Sequence, residues 1–245
     1  MFGCGGLNRK RWIIHFLMVE QAILPFSVSD ETSFNSFFRQ GNEALLQELF
    51  CVLDGNRAKR VIYLWGEQGS GKTHLLNACC YHLELRSQGY LYLPIEPGSG
   101  RVFDLGQVQD CALVCVDDVQ NLVGNQVAQE AIFSLYEKVM SQWGAMIVSG
   151  TLPPAAINFE LRDLQSRLMS GGVFALQKLT DDAKVAALKF RAQKRGFDLE
   201  DRVVDFIMTH YDRNTSALFA LLERIDRTSL AEHRKITVPF IKTLL

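Results

Sequence analysis

The chain has 245 residues, of which 48% are hydrophobic and 22% charged. This length suits one large domain or a core with a small second domain, and the composition is typical of a soluble globular protein. The formal net charge of −1 leaves no basic excess to displace counterions, which argues against a protein whose affinity depends on wrapping nucleic acid but leaves a local basic patch open. The six cysteines lack metal-ligand spacing with histidines, so we expect small buried hydrophobic residues in a reducing cytoplasm.

Residues 1–19 are predicted to be a disordered leader. Their apolar run over 12–19 is interrupted by His15, is too short to span a bilayer and lacks a small-residue cleavage site. We therefore expect no membrane association and a cytoplasmic protein, with Met18 as an alternative start. Residues 20–40, which contain Pro25 and a run of small polar residues, are predicted to be an extended N-terminal arm.

Residues 41–178 are predicted to form the core domain. Helices are expected over residues 42–53, 74–86 (ended by Gly89) and 125–142 because apolar residues recur there on one helical face. Strands are expected over 61–65, 90–94, 112–116, 145–149 and 174–176. This alternation predicts an α/β fold with a three-layer parallel sheet.

Residues 179–245 are predicted to form a small all-helical second domain. Thr180 caps a helix with Asp181 and Asp182 in its first turn, and this helix stops at Gly196. Further helices are expected near 200–210, 214–231 and 238–245.

The segment between the first strand and the second helix contains a complete G-x-x-x-x-G-K-T motif. In such a loop, backbone N–H groups and the positive end of the helix dipole surround phosphate oxygens. Lys72 is expected to reach the β- and γ-phosphates, and Thr73 to ligate Mg²⁺. The predicted nucleotide-binding residues are Gly66, Glu67, Gln68, Gly69, Ser70, Gly71, Lys72 and Thr73.

Three polar residues follow later strands, at the edge where ligands bind in parallel sheets. Asp117 is predicted to hold Mg²⁺ directly or through water, and Asp118 to orient or deprotonate the attacking water; alternatively, both cap the following turn. Because aspartate is shorter than the glutamate of many hydrolases, intrinsic ATP turnover is expected to be weak at most. Thr151 is predicted either to sense the γ-phosphate or to be a turn residue before Pro153.

Residues 32–37, 113–124 and 164–168 resemble DnaA-type AAA+ ATPases, and the resemblance runs from about residue 21 to residue 245. It implies an AAA+ P-loop core with a helical lid, and ADP or ATP with Mg²⁺ as ligands. Within this family the chain is most similar to the regulatory Hda type. It ends at Leu245 without room for a DNA-reading domain, and residues 96–109 are too short for the helices that grip single-stranded DNA in initiators. Little or no sequence-specific DNA binding is therefore expected.

Residues 21–26 are similar to the peptide by which replication proteins dock on the β sliding clamp. Gln21 offers amide hydrogen bonds, while Leu24 and Phe26 are large apolar anchors. Pro25 restricts the unbound peptide and so lowers the ordering cost of binding.

The resemblance also assigns two arginine positions. Arg167 matches an arginine finger, which acts in trans on a neighbour's γ-phosphate; the alternative is a solvated helix arginine such as Arg162. Ser216 stands where the family usually has a phosphate-contacting lid arginine, and Arg213, one helical turn earlier, is a candidate replacement.

The resemblance thus predicts a regulator of replication initiation that binds the β sliding clamp and DnaA, and stimulates hydrolysis of DnaA-bound ATP. Two alternatives remain open: a self-contained AAA+ ATPase such as a helicase loader, and a DnaA-like initiator or remodelling factor that binds DNA. Whether the protein forms a homo-oligomer also remains open.

Overall fold

The computed structural model describes residues 33–39, 41–55, 60–98 and 111–244. The predicted leader, most of the arm and residues 99–110 lie outside the described residues. The elements in chain order are α1 (Glu43–Leu53), β1 (Val61–Trp65), α2 (Lys72–Leu85), β2 (Tyr90–Pro94), β3 (Leu113–Asp117), α3 (Gln126–Ser141), β4 (Ala145–Gly150), α4 (Arg162–Met169), β5 (Gly172–Ala175), α5 (Asp181–Lys194), α6 (Asp201–His210), α7 (Thr215–Glu232) and α8 (Val238–Lys242).

The described strands form one parallel sheet in the order β2-β3-β4-β1-β5. β1 therefore lies between β4 and β5, and β3 pairs with β4. Because all strands are parallel, the carboxyl ends of β1, β3 and β4 meet at the same edge of the sheet, where the strand order places a ligand crevice. The predicted α/β class with a parallel sheet is confirmed.

Alternating side chains of β1 divide the core between the two faces of the sheet. Ile62 and Leu64 pack with α1 and α2 on one face, whereas Val61 and Tyr63 pack with α3 and α4 on the other. Every residue of β3 is buried, as its continuous apolar run predicts. The sheet is thus covered on both faces, which gives the three predicted layers.

The last four helices have a hydrophobic cluster of their own. Its fully buried members include Val203, Leu221 and Phe240. As predicted, the Thr180 hydroxyl accepts a hydrogen bond from the Ala183 N–H, at 3.2 Å, and so caps α5. None of the described helices combines the length and apolar composition that crossing a membrane requires.

The end of α2 differs from the prediction. The helix stops at Leu85, within one residue of the predicted bound, but the left-handed residue that follows it is Ser87, with φ +55°, and not Gly89. The carbonyl of Gly89 instead accepts a hydrogen bond from Ala112 at 2.8 Å, next to the β2–β3 pairing. Gly89 therefore lies directly before β2 and extends the hydrogen bonding between β2 and β3 by one bond.

Candidate functional site

The loop between β1 and α2 depends on glycine at three positions. Gly69 and Gly71 have φ values of +80° and +101°, which other residues rarely adopt. Gly66 is required for a different reason: the Cβ atom of any other residue there would lie 2.4 Å from the Leu176 carbonyl oxygen. These glycines let the loop curl into the conformation that the motif predicts.

A pocket of about 600 Å³ opens over this loop. The sheet edge contributes residues that follow β3 and β4, the N-terminal part contributes aromatic residues before α1, and the C-terminal helices form a further wall. The lining residues are Phe37, Phe38, Asn42, Gln68, Gly69, Ser70, Gly71, Lys72, Thr73, His74, Asp118, Gln120, Thr151, Leu179, Arg191, Thr215, Ser216 and Phe219.

The Lys72 ammonium group is folded back onto the loop. Its Nζ donates hydrogen bonds to the carbonyl oxygens of Gly66 at 2.8 Å and Glu67 at 3.0 Å. Burial lowers the pKa of Lys72 below its ordinary value, and the charges of Asp118 and Asp117 oppose that shift. A phosphate group entering the pocket meets a cation that two backbone carbonyls already hold in place.

The two aspartates after β3 have different environments. Asp117 is buried, accepts hydrogen bonds from the hydroxyls of Ser149 and Tyr92, and does not line the pocket. Asp118 has a left-handed backbone, with φ +59°, and does line it. Asp118 therefore lines the pocket, whereas Asp117 is buried behind the pocket wall.

Gln120 connects the ends of β3 and β4. Its Nε2 donates to Asp118 Oδ1 at 3.0 Å, and its Oε1 accepts from the Thr151 N–H at 3.1 Å. Asp118 and Thr151 are thus held in one hydrogen-bonded unit on the pocket wall, facing the loop of Lys72. Gln120 itself was not among the predicted site residues.

The pocket has features that suit a phosphate-bearing ligand. Ser70 and Thr215 line it, and their hydroxyls are buried and have no hydrogen-bond partner among the described residues. Buried polar groups usually have partners, so these two are suited to ligand oxygens. In the described ranges, no three His, Cys, Asp or Glu side chains form a metal-binding group. Thr73, the predicted Mg²⁺ ligand, is among the residues that line the pocket.

Two predicted site residues, Glu67 and Arg167, are not among the residues that line this pocket. Glu67 pairs with Lys178 at 3.2 Å, and only its carbonyl takes part in holding Lys72. Arg167 lies on α4 outside the pocket lining, where it pairs with Glu137 at 3.3 Å and lies 5.7 Å from the centre of the Tyr136 ring. About half of its side chain is exposed.

Arg213 does not reach the pocket, so its suggested replacement of the arginine missing at Ser216 is not supported. Its guanidinium binds Asp181 at 2.8 Å and the Met208 carbonyl at 2.9 Å. Ser216 does line the pocket. Arg213 lies away from the pocket because its guanidinium is bound by Asp181, in the first turn of α5.

Sequence reasoning missed Arg191, Phe219 and His74 in the pocket wall. His74 directly follows the phosphate-loop motif, and this adjacency could have identified it. No sequence signal indicated Arg191 or Phe219, because only the packing of α5 and α7 brings them to the loop. The predicted clamp-binding peptide, Gln21 to Phe26, lies outside the described residues.

Comparison with known proteins relates the chain to replication proteins. Residues 181–245 match the family model of the Hda lid domain. Domain III of the replication initiation protein DnaA from Thermotoga maritima is 17% identical, with a TM-score of 0.73 over 89% of this chain and 96% of that chain. AMPPCP-bound DnaA from Aquifex aeolicus is 19% identical, with a TM-score of 0.69 over 81% of this chain and 66% of that one.

A further similar structure is the Thermotoga maritima RuvB Holliday junction branch migration motor. It is 16% identical, with a TM-score of 0.56 over 83% of this chain and 68% of that chain. At such identities these structures establish the fold, while the family match concerns the C-terminal helices. The chain therefore has the fold of these DnaA structures, and its residues 181–245 match the Hda lid-domain family.

Proposed function

We propose that this protein is a DnaA-related regulator of replication initiation, which binds adenine nucleotide and stimulates hydrolysis of ATP held by DnaA. The Hda lid match and the DnaA-like fold support the coarser part, a DnaA-related replication regulator or initiator. The finer part depends on one observation. Arg167, the arginine-finger candidate, is half exposed on α4 and is not part of the chain's own pocket lining.

The chain's own ligand is ADP or ATP with Mg²⁺. Lys72 faces the β- and γ-phosphates, and Thr73 supplies a hydroxyl to Mg²⁺. Since Asp117 already accepts hydrogen bonds from Ser149 and Tyr92, it acts on Mg²⁺ through water. The DnaA of Aquifex aeolicus with a similar fold was solved bound to AMPPCP, which supports an adenine nucleotide here.

Arg167 acts on DnaA-bound ATP. There, water attacks the γ-phosphorus, the bond to the β–γ bridging oxygen breaks, and ADP and inorganic phosphate leave. The guanidinium neutralises charge on the transferring group, which is worth about 10³–10⁵ in rate in well-studied cases. Within this chain Arg167 pairs with the half-exposed Glu137, a weak contact that it can give up on docking.

The β sliding clamp recruits the protein through residues 21–26. Leu24 and Phe26 fill apolar pockets, Gln21 provides amide hydrogen bonds, and Pro25 lowers the ordering cost. Attachment to a DNA-loaded clamp confines the regulator to replicated DNA. It raises the local concentration of Arg167 near DnaA without any new contact between the two proteins.

The decisive assay measures hydrolysis of DnaA-bound ATP in the presence of clamp loaded on DNA. Arg167→Ala is expected to abolish stimulation and keep clamp binding. The matched control is Arg162→Ala, which removes another exposed arginine from the same helix and is expected to stimulate normally. Full stimulation by Arg167→Ala refutes the arginine-finger role.

Clamp recruitment is tested separately by capture on immobilised clamp. The double change of Leu24 and Phe26 to Ala is expected to abolish capture while leaving nucleotide affinity unchanged. Equal capture of the wild type and this variant removes the tether from the proposal.

A self-contained ATPase is the second candidate, since Asp118 and Thr151 line the same pocket as Lys72. It predicts robust turnover by the protein alone, lost in Lys72→Ala. If Arg167 of another copy completes this site in a homo-oligomer, turnover per molecule rises with protein concentration and is lost in Arg167→Ala. A DNA-binding initiator instead predicts salt-sensitive DNA affinity without any partner.

A further inference from the structure

Arg191 is the charged residue that the C-terminal helices contribute to the pocket. Among the lining residues, the formally cationic side chains are Lys72 from the loop and Arg191 from α5, and the anionic one is Asp118. The other lining residues of this wall, including Thr215 and Ser216, are uncharged. The pocket thus has two positively charged lining residues, one from the loop and one from α5, which suits a ligand bearing several negative charges.

Arg191 is held in place from three directions. Its Cζ lies 3.7 Å from the centre of the Phe219 ring, its Nε donates to the Ser36 carbonyl at 3.1 Å, and its Nη2 lies 3.3 Å from His74 Nδ1. These contacts belong to α7, to the segment before α1, and to the first turn of α2. A stacked and hydrogen-bonded guanidinium is a pre-organised donor.

The contact with His74 fixes the tautomer of that ring. His74 Nε2 lies 3.2 Å from the Ser33 carbonyl oxygen, to which it can only donate. Nδ1 therefore carries no proton and accepts from Arg191. The imidazole is neutral in this arrangement, so it positions the guanidinium and adds no charge of its own to the pocket.

The same wall has a second feature that suits a ligand. Thr215 begins the 18-residue helix α7 and lines the pocket, and its buried hydroxyl has no hydrogen-bond partner in the described parts of the chain. Asn214, just before it, lies against the loop, with Oδ1 3.4 Å from an ideal Cβ at Gly69. The start of α7 is thus placed where its partial positive charge meets phosphate oxygens.

We propose that Arg191 is the nucleotide-positioning residue of the C-terminal helices. Its guanidinium provides the positive charge with which this wall holds a nucleoside di- or triphosphate, and its bonds to Ser36 and His74 keep the wall against the loop. This proposal rests on nucleotide binding in the same pocket. Ser216 lines the pocket without a charge, so an arginine introduced there can take over the role.

Isothermal titration calorimetry with ATP, ADP and adenosine tests the proposal. Arg191→Ala is expected to weaken ATP and ADP binding about tenfold or more, as loss of a charged hydrogen bond does, and to change adenosine binding little. Arg191→Lys is expected to fall between the two because it keeps the charge and loses the planar contacts. The control Arg195→Ala removes the cation at the C-cap of α5, which pairs with Glu223 and Asp226, and is expected to bind normally.

The rescue variant separates charge from packing. Arg191→Ala combined with Ser216→Arg is expected to recover most of the ATP affinity and the steeper salt dependence of the wild type. Unchanged ATP affinity in Arg191→Ala overturns the proposal, and so does an equal loss for ATP and adenosine, which indicates a packing role alone. Failure of the wild type to bind ATP or ADP instead refutes the proposed function.

Discussion

The Ser149 hydroxyl of β4 donates a hydrogen bond to Oδ1 of Asp117 in β3, and its oxygen accepts the N–H of Asp118 at 3.0 Å. The Tyr92 hydroxyl donates to the other carboxylate oxygen of Asp117 at 2.7 Å. Both oxygens of a buried carboxylate are thereby satisfied. One serine on the neighbouring strand thus fixes the first aspartate behind the pocket and helps to hold the left-handed backbone of the second.

Ser149→Ala is expected to lower the free energy of unfolding by about 1–3 kcal/mol, because it removes one donor from the buried carboxylate and the acceptor of the Asp118 N–H. Urea denaturation measures this change. The control Ser141→Ala removes an exposed hydroxyl that donates only to the Lys138 carbonyl, and is expected to change stability by less than about 0.5 kcal/mol. Similar losses in both variants contradict the role of Ser149.

Gly71→Ala is expected to abolish nucleotide binding as well as to destabilise the fold. Alanine at φ +101° is strained, and its Cβ would lie 3.1 Å from the Phe37 ring. Gly124→Ala is the matched control, because Gly124 also has a left-handed φ, +82°, but open space around it and no place in the pocket lining. We expect Gly124→Ala to cost about 1 kcal/mol in stability and to keep its ATP affinity. Normal ATP binding by Gly71→Ala would contradict the assigned loop geometry.

Gly150→Ala is expected to disrupt the end of β4, because a Cβ there would lie 2.0 Å from the Tyr63 hydroxyl. That hydroxyl is buried and donates to the Leu152 carbonyl at 3.0 Å, which positions the segment containing Thr151. Tyr63→Phe in the Gly150→Ala background removes the clashing oxygen and should recover part of the lost stability. Recovery is partial since the ring Cζ would still lie 3.0 Å from the new Cβ. A double-mutant cycle measured by urea denaturation gives the coupling, and additive effects would refute this contact.

Local sequence was sufficient for the loop of Lys72, because its glycines and the following helix are consecutive in the chain. Asp118 and Thr151 were also predictable as neighbours, since both follow buried strands and parallel strands end at one edge. Helix faces could not show that Asp181 binds Arg213, which lies between α6 and α7. Nor could they place Arg191 beside Ser36 and His74, contacts that span 155 and 117 residues. Sequence reasoning failed where the site depends on packing between helices that are distant in the chain.

His74 is expected to make stability depend on pH below neutrality. Burial, followed by the charge of Arg191, lowers the pKa of His74 to about 4, while the Ser33 carbonyl opposes the shift. Between about pH 6.5 and pH 4 the His74 ring binds a proton in the unfolded chain but stays neutral in the native protein. The free energy of unfolding therefore falls as pH falls through this window. The loss approaches about 3 kcal/mol at the acid end.

His74→Gln lacks this titration, so its stability is expected to fall less between pH 6.5 and pH 4.5 than that of the wild type. It does not become constant, because burial also lowers the pKa of His82 and produces the same sign of dependence. The control His210→Gln changes an exposed histidine at the end of α6 and should retain the wild-type slope. Urea unfolding at half-unit pH steps gives the three slopes. If His74→Gln and the wild type lose equal stability on acidification, the ring is not held neutral by its contacts with Arg191 and Ser33.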